Sequence, residues 1–303
     1  MNHSHHEQNN QIKNIQLAFF LNFFFAIAEI IGGLYTNSMA IIADALHDLG
    51  DSLTLGVSWQ LERIAQKQET MKYSYGYRRF SLLGAIANAI VLIGGSVLVL
   101  MKAIPRLITP EESDAQGMLF FAMVGIFING FAVLRMRQGK SMNSRMLTLH
   151  LLEDVLGWMA VFIVAIILMF TDFHFLDPLL SLLITSYVLY NVVKNLRKTL
   201  GLFLQAVPDE VQIEKIESEL KTYPKVLGIH HTHIWSLDGE HHVLTTHVML
   251  TEDAKKEDIR NIKCMLRDLK ERFGLEHTTI EFEYSEEDCS MNHQVVEKVN
   301  NEY

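Results

Sequence analysis

Apolar runs close to the length that crosses a bilayer, about 20 residues for a helix, recur at about 13–35, 38–62, 79–103, 116–136, 146–170 and 176–200. At that depth the backbone has no water to bond to, so each run must satisfy its own N–H and C=O groups as a helix. The first two-thirds of the chain is therefore restricted to a bundle of six spanning helices. Two runs are less apolar than the rest. The second carries Asp44, His47, Asp48 and Asp51, and the fifth carries His150, Glu153 and Asp154.

An ionisable side chain at the middle of a membrane costs on the order of 2.5–3.5 kcal/mol to insert, so such groups belong on inward faces with a task. In ADALHDLGDS and LTLHLLEDVLGW a histidine precedes an aspartate by four residues, His47 with Asp51 and His150 with Asp154. Residues four apart share one helix face, so each run presents an imidazole beside a carboxylate. Hydrogen bonding between helices explains one buried pair better than two of identical spacing. Two imidazoles and two carboxylates suit a tetrahedral divalent transition metal, zinc above all, and not a hard cation such as magnesium. The same groups bind protons, because metal binding needs neutral histidine and ionised aspartate. A site that trades metal for protons in mid-membrane is what a secondary transporter requires.

Hydrophobic residues make up 49% of the 303 and charged residues 20%, a combination that requires segregation. The net charge of −9 belongs to the part after residue 206, since the apolar part has a near balance of 15 basic and 14 acidic residues. A basic nucleic-acid surface is excluded by this balance. Lys and Arg gather in the connections after the second, fourth and sixth runs, as in Arg63, Lys67, Arg78 and Arg79, and the positive-inside rule then puts both termini in the cytoplasm. The polar first residues and the length of the first run argue for a retained helix and against a cleaved signal. Two cysteines, Cys264 and Cys289, lie far apart with no CxxC spacing, so no disulfide framework is expected. Cys264 is read as a small core residue.

From Val207 the pattern becomes that of a soluble domain. VPDEVQIEKIESELKTY reads as an amphipathic helix, and VLGIHHTHIWSL and HHVLTTHVML as strands flanking a turn at Asp238 and Gly239. KKEDIRNIKCMLRDLKERF is a second helix, capped by Gly274, and HTTIEFEY a third strand. The expected organisation is a His-containing flexible start (1–11), a six-helix transmembrane domain (12–206), a cytoplasmic αββαβ domain (207–288) and a flexible tail (289–303).

NSMAIIADALHDLGD, KYSYGYRRFSLLGAI, HLLEDVLGW and HTHIWSL resemble, in order and spacing, the signature stretches of the cation diffusion facilitator family, in its zinc-transporting branch. The resemblance covers nearly the whole chain. It implies a bacterial zinc efflux transporter: a homodimer in the plasma (inner) membrane, with six transmembrane helices per subunit and a ferredoxin- or metallochaperone-like cytoplasmic α/β domain. It also implies export of divalent metal in exchange for protons. By motif, His47, Asp51, His150 and Asp154 match the transport site. Histidine, where manganese-preferring relatives have aspartate, favours Zn²⁺, with Co²⁺ and Cd²⁺ as further substrates. In the cytoplasmic domain His233, His247, His277 and Glu283 match positions that hold structural or regulatory metal.

Asp48 and Glu153 depart from the pattern by adding a carboxylate beside each pair, about 100° round the helix from its neighbour. They are assigned to pairing with basic loops, water contact or a proton relay. Asp44, three residues before His47, is placed to orient that ring. Period-2 alternation puts His231, His233 and Trp235 on one face of their strand, and Val243, Thr245, His247 and Met249 on one face of the next. Adjacency makes His230, His231, His241 and His242 poor simultaneous ligands, so they are read as surface histidines. Cys289, with His293 as a substitute for a second cysteine, is an accessory metal candidate, as are His3, His5 and His6. Two rival readings remain at this point, a membrane metalloenzyme and a metal sensor that does not transport. The first lacks an HExxH run or an open coordination position.

Overall fold

A computed structural model describes residues 20, 22–65, 67, 69–136 and 142–284, apart from some helix side chains, His150 among them. The described helices of the apolar part are α1 (Asn22–Tyr35), α2 (Met39–Ala65), α3 (Phe80–Ile108), α4 (Ala115–Met136), α5 (Met142–Phe170) and α6 (Leu176–Phe203). Spans within α3, α4, α5 and α6 are long and apolar enough to cross a membrane. The 27 residues of α2 reach the same length but carry the acidic run that lowers its hydropathy. Large apolar side chains such as Ile90, Leu98, Phe127, Phe131, Ile163 and Leu183 are exposed, as expected of surfaces solvated by lipid.

Small residues let these helices approach closely, the usual device where lipid leaves no hydrophobic drive for association. Ala40, Ile41, Met118, Ala122, Trp158, Val161 and Ala165 form a buried cluster of α2, α4 and α5. Trp158 lies against Gly125, where an added Cβ would stand 2.2 Å from the indole ring. A second cluster joins Met39 and Ala43 of α2 to Val99 and Ala103 of α3.

The start of α2 is fixed with unusual completeness. Ser38 Oγ accepts from Ile41 N–H at 3.2 Å and donates to Asp177 Oδ1 at 2.6 Å. Asp177, from the first turn of α6, accepts from the N–H groups of Met39 and Ala40 at 2.7 and 3.2 Å. With Ser38 N–H bonded to the Gly33 carbonyl at 2.9 Å, all four N–H groups that a helix start leaves orphaned have partners inside the protein. Beside this cap Arg106 donates to Asn37 Oδ1 at 2.7 Å, and Asp114 N–H to the Thr36 carbonyl at 2.8 Å, closing the connections at this end.

The polar part continues as α7 (Ile213–Lys221), β1 (Val226–Ser236), β2 (His242–Leu250), α8 (Lys256–Phe273) and β3 (Leu275–Glu283), the expected αββαβ order. The sheet order is β1-β2-β3, with β2 antiparallel to β1 and parallel to β3, α8 being the crossover. The helix α7 is shorter than expected, because Val211 N–H bonds the Pro208 carbonyl in a separate turn. Ile216 and Leu220 of α7, Ile262, Leu266 and Leu269 of α8, and Ile229, Ile234, Leu244, Val248 and Leu275 of the strands share one core. Both helices therefore cover one face of the sheet. The end of α8 is capped at Gly274 in the left-handed conformation (φ 61°). Cys264 on α8 is exposed and not in this core, because it lies on the helix face away from Ile262 and Leu266.

The chain divides into two compact units, Met1–Leu61 with Gly84–Leu196, and Glu62–Leu83 with Arg197–Tyr303. The connection between α2 and α3 thus belongs with the soluble domain and not with the helices it joins, a division finer than a single boundary near residue 206.

Asp177→Ala is expected to cost about 1–3 kcal/mol, because it strands buried helix-start donors. Gly125→Ala should cost a similar ~1–3 kcal/mol by overpacking against Trp158. Thermal unfolding of each purified variant in detergent checks both.

Candidate metal sites

On α2, His47 Nε2 and Asp51 Oδ2 are 3.8 Å apart, each side chain about a quarter exposed. Asp154 is half-buried on α5, and His150 lies one turn earlier on that helix, its side chain outside those described. Asp44 is buried, within electrostatic reach of Asp51 and Asp154. Its Oδ1 lies 3.5 Å from where a Cβ on Gly157 would stand, so α2 meets α5 closely at this level.

The two extra acids have different surroundings. Asp48 is buried, with Asn22 of α1 donating to its carbonyl at 3.0 Å and to Ser52 Oγ at 3.2 Å. Glu153 is exposed on α5. A further carboxylate joins them from α1: Glu29 is fully buried, lies within electrostatic reach of Asp44 and Asp154, and meets the carboxyl of Asp48. The signal was present, since Glu29 is the one charged residue of NFFFAIAEIIGGLY. It lacked the paired histidine that drew attention to the other helices.

No Lys or Arg occurs in residues 14–62 or 146–193, so the basic residues of α2 and α5, Arg63 and Arg145, lie outside the stretches that carry the acids. Several desolvated carboxylates gathered in those stretches require positive charge, as metal or protons.

In the soluble domain His230, His247 and Glu283 place one ligand atom each within 4.8 Å of one another, the group of three His, Cys, Asp or Glu so arranged among the described residues. His247 Nδ1 is 2.6 Å from Glu283 Oε1, and His230 Nε2 is 3.2 Å from Glu283 Oε2. Glu283 is only 2% exposed, and the two histidine side chains 13% and 14%. Two imidazoles and a carboxylate converging in a sheltered place form a set that zinc accepts, with a fourth position left for a further ligand. Glu281 Oε2 lies 3.5 Å from His247 Nε2, the ring nitrogen that does not face Glu283.

The expected histidines His233 and His277 lie elsewhere. His233 is exposed and pairs with His231, their Nε2 atoms 3.4 Å apart, close to the separation of about 3.4 Å that two nitrogens show on one tetrahedral zinc. His277 sits opposite Val243, toward the start of β3, with Tyr75 and Glu69 beside it. The reason that His230 joins the cluster is a bulge. The β1 register slips between His230 and His233, and His231 takes φ 53°. Ile229 and Ile234 both face the core, so the inserted residue puts His230 and His233 on the opposite face together. Strict alternation would have sent His230 into the core.

His241 bonds the carboxylate of Asp238 at 2.7 Å. Burial works against ionisation of Asp238, yet the N–H groups of His241 and Glu240 outweigh it and hold that carboxyl below its ordinary value. His242 is buried beside the α8 cap, and burial lowers its basicity. Neither residue belongs to the cluster. Cys289, His293, His3, His5 and His6 lie outside the described residues.

Residues 15–204 match the family model of the cation efflux transmembrane domain, and residues 208–285 that of the cation efflux protein cytoplasmic domain. The chain belongs to the cation efflux family. It is 33% identical to the metal cation efflux system protein CzcD of Cupriavidus metallidurans, over 93% of this chain and 89% of that protein. It is 31% identical to the zinc transporter ZitB of Pectobacterium atrosepticum, over 97% and 92%. It is 29% identical to the cadmium, cobalt and zinc/H(+)-K(+) antiporter of Bacillus subtilis, over 93% and 92%. Membership makes this a multi-pass membrane transporter, not an enzyme, with the αββαβ unit as the family's cytoplasmic domain.

Glu283→Gln and His230→Ala are each expected to weaken zinc binding at the cytoplasmic cluster by roughly 10–100-fold. Calorimetry on full-length protein carrying Asp51→Ala and Asp154→Ala isolates that cluster. Affinity in the same assay should fall as pH is lowered from about 7.5 to about 5.5, because protons compete for both imidazoles.

Proposed function

We propose that this protein is a proton-coupled antiporter that exports Zn²⁺ from the cytoplasm by alternating access, with Co²⁺ and Cd²⁺ as further substrates. His47 and Asp51 of α2, with His150 and Asp154 of α5, bind the metal once deprotonated, and protons from the outer side release it. The observation that carries this reading is the set of carboxylates on α1, α2 and α5, helices with no basic residue at bilayer depth. Such a chamber must hold a cation in every stable state, so an emptying metal has to be replaced by protons. The functions for which the relatives are named, zinc transport and exchange against H⁺ and K⁺, support the same chemistry.

The protein works as a homodimer in the plasma membrane, with both termini in the cytoplasm, the side on which the Lys- and Arg-rich connections lie by the positive-inside rule. Metal at His230, His247 and Glu283, with the His231 and His233 pair adjoining, draws the cytoplasmic domains into the transporting arrangement. Asp44 orients His47, Asp48 holds protons with Glu29, and exposed Glu153 serves water contact.

Purified protein in liposomes loaded with a zinc-sensitive dye provides the test. An imposed pH gradient should drive zinc flux in the wild type, and Asp51→Ala or Asp154→Ala should reduce it at least ~100-fold with unfolding temperature retained. Undiminished flux in both variants would sink the assignment, and no flux in the wild type would favour a sensor. His47→Asp should move preference from zinc toward manganese in competition assays, because it replaces a nitrogen ligand by an oxygen.

A further inference from the structure

The connection between α2 and α3 is a built element of the soluble unit. Thr70 and Tyr73 exchange two backbone hydrogen bonds at 3.1 Å, and Gly76 turns the chain with φ 72°. Tyr73, Tyr77 and Phe80 stack at centroid separations of 4.6–5.8 Å. From this folded loop two side chains reach the sheet. Arg78 donates to Glu276 Oε1 at 2.7 Å and stands 3.6 Å from Asp238 Oδ2, gripping the start of β3 and the β1–β2 turn together. Tyr75 meets Trp235 and His277 edge-on, at 6.5 and 5.2 Å.

Those grips fall on the strands that carry the metal cluster. Trp235 and the Asp238 turn close the strand whose middle carries His230 and His231, and Glu276 lies at the start of the strand that ends at Glu283. Seven residues of strand separate Glu276 from Glu283, about 23 Å. Asp238 is itself fixed, accepting from the N–H groups of Glu240 and His241 and from the His241 ring, so Arg78 meets an anchored carboxylate.

We propose that Arg78 is a positioning residue, a clamp through which metal held midway along β1 and at the end of β3 sets the loop that joins the transport helix α2 to α3. This rests on the proposed zinc antiport and names the path by which the cytoplasmic cluster regulates it. Metal joining His230, His247 and Glu283 ties β1, β2 and β3 into one rigid plate. The far edge of that plate then holds Arg78 and Tyr75 in register, and with them the ends of α2 and α3. A two-carboxylate fork suits arginine's planar donors and not lysine's single point of charge.

Hydrogen exchange of the peptide covering 69–79, in full-length protein with and without added zinc, is the measurement. In the wild type, zinc should slow exchange of this peptide about 10-fold. Arg78→Gln should abolish that zinc-dependent protection while zinc affinity of the cytoplasmic cluster, by calorimetry, stays within twofold of the wild type. Arg78→Lys should restore part of it, which a merely structural loss would not. In liposomes, Arg78→Gln should leave transport running but insensitive to the Glu283→Gln change. Zinc protection of the loop that survives in Arg78→Gln would overturn the clamp while leaving the antiport intact. Absent zinc flux in the wild type would instead overturn the antiport, and is read from a different assay.

Discussion

The structure is organised by a charge constraint. Glu29, Asp44, Asp48, Asp51 and Asp154 lie on three helices, and neither the 14–62 nor the 146–193 stretch holds a Lys or Arg. In a medium that solvates ions poorly, such acids stay in place only with cations among them. Helix packing serves that requirement. Alanines and glycines bring α2 against α4 and α5, Gly157 lets Asp44 approach α5, and Asn22 ties α1 to α2 beside Asp48.

The soluble domain holds its metal ligands by different means. One sheet face carries the aliphatic core under α7 and α8, and the other carries His247, Glu281 and Glu283. A carboxylate as sheltered as Glu283 persists because two imidazoles face it. The β1 bulge adds His230 to that face, and the strain of a left-handed histidine is local to the metal-facing surface.

Much of this was legible in the sequence, and the misses share a cause. Apolar length set the spanning helices, and helical spacing paired His47 with Asp51, because both are periodic properties of a single element. The αββαβ order followed from turn and cap residues such as Asp238, Gly239 and Gly274. What escaped was tertiary. The resemblance pointed to His233, and alternation grouped it with His231 and left His230 aside, because a bulge leaves no mark on a run of HHTH. His277 looked like a ligand until the parallel register placed it opposite Val243, far along β3 from Glu283. Asp48 and Glu153 looked equivalent in sequence, yet one is buried and one exposed. Glu29 went unnoticed because its partners lie on other helices. Arg78 counted in the sequence only as one of the basic residues of its connection, whereas its carboxylate partners come from some 160 and 200 residues later in the chain.

The shared cap at Asp177 has a mechanical consequence. One carboxylate holds the first turn of α2 to the first turn of α6, so that end of α2 is a pivot and its 27 residues form a lever of about 40 Å. A swing of about 5° carries the far end through roughly 3.5 Å, but His47, about 13 Å from the pivot, through only about 1 Å. Metal coordination is decided within a few tenths of an ångström. Short travel at the ligands is therefore enough to make or break their bonds, while the long arm gives the loop beyond Ala65 a threefold geometric advantage over the site it commands.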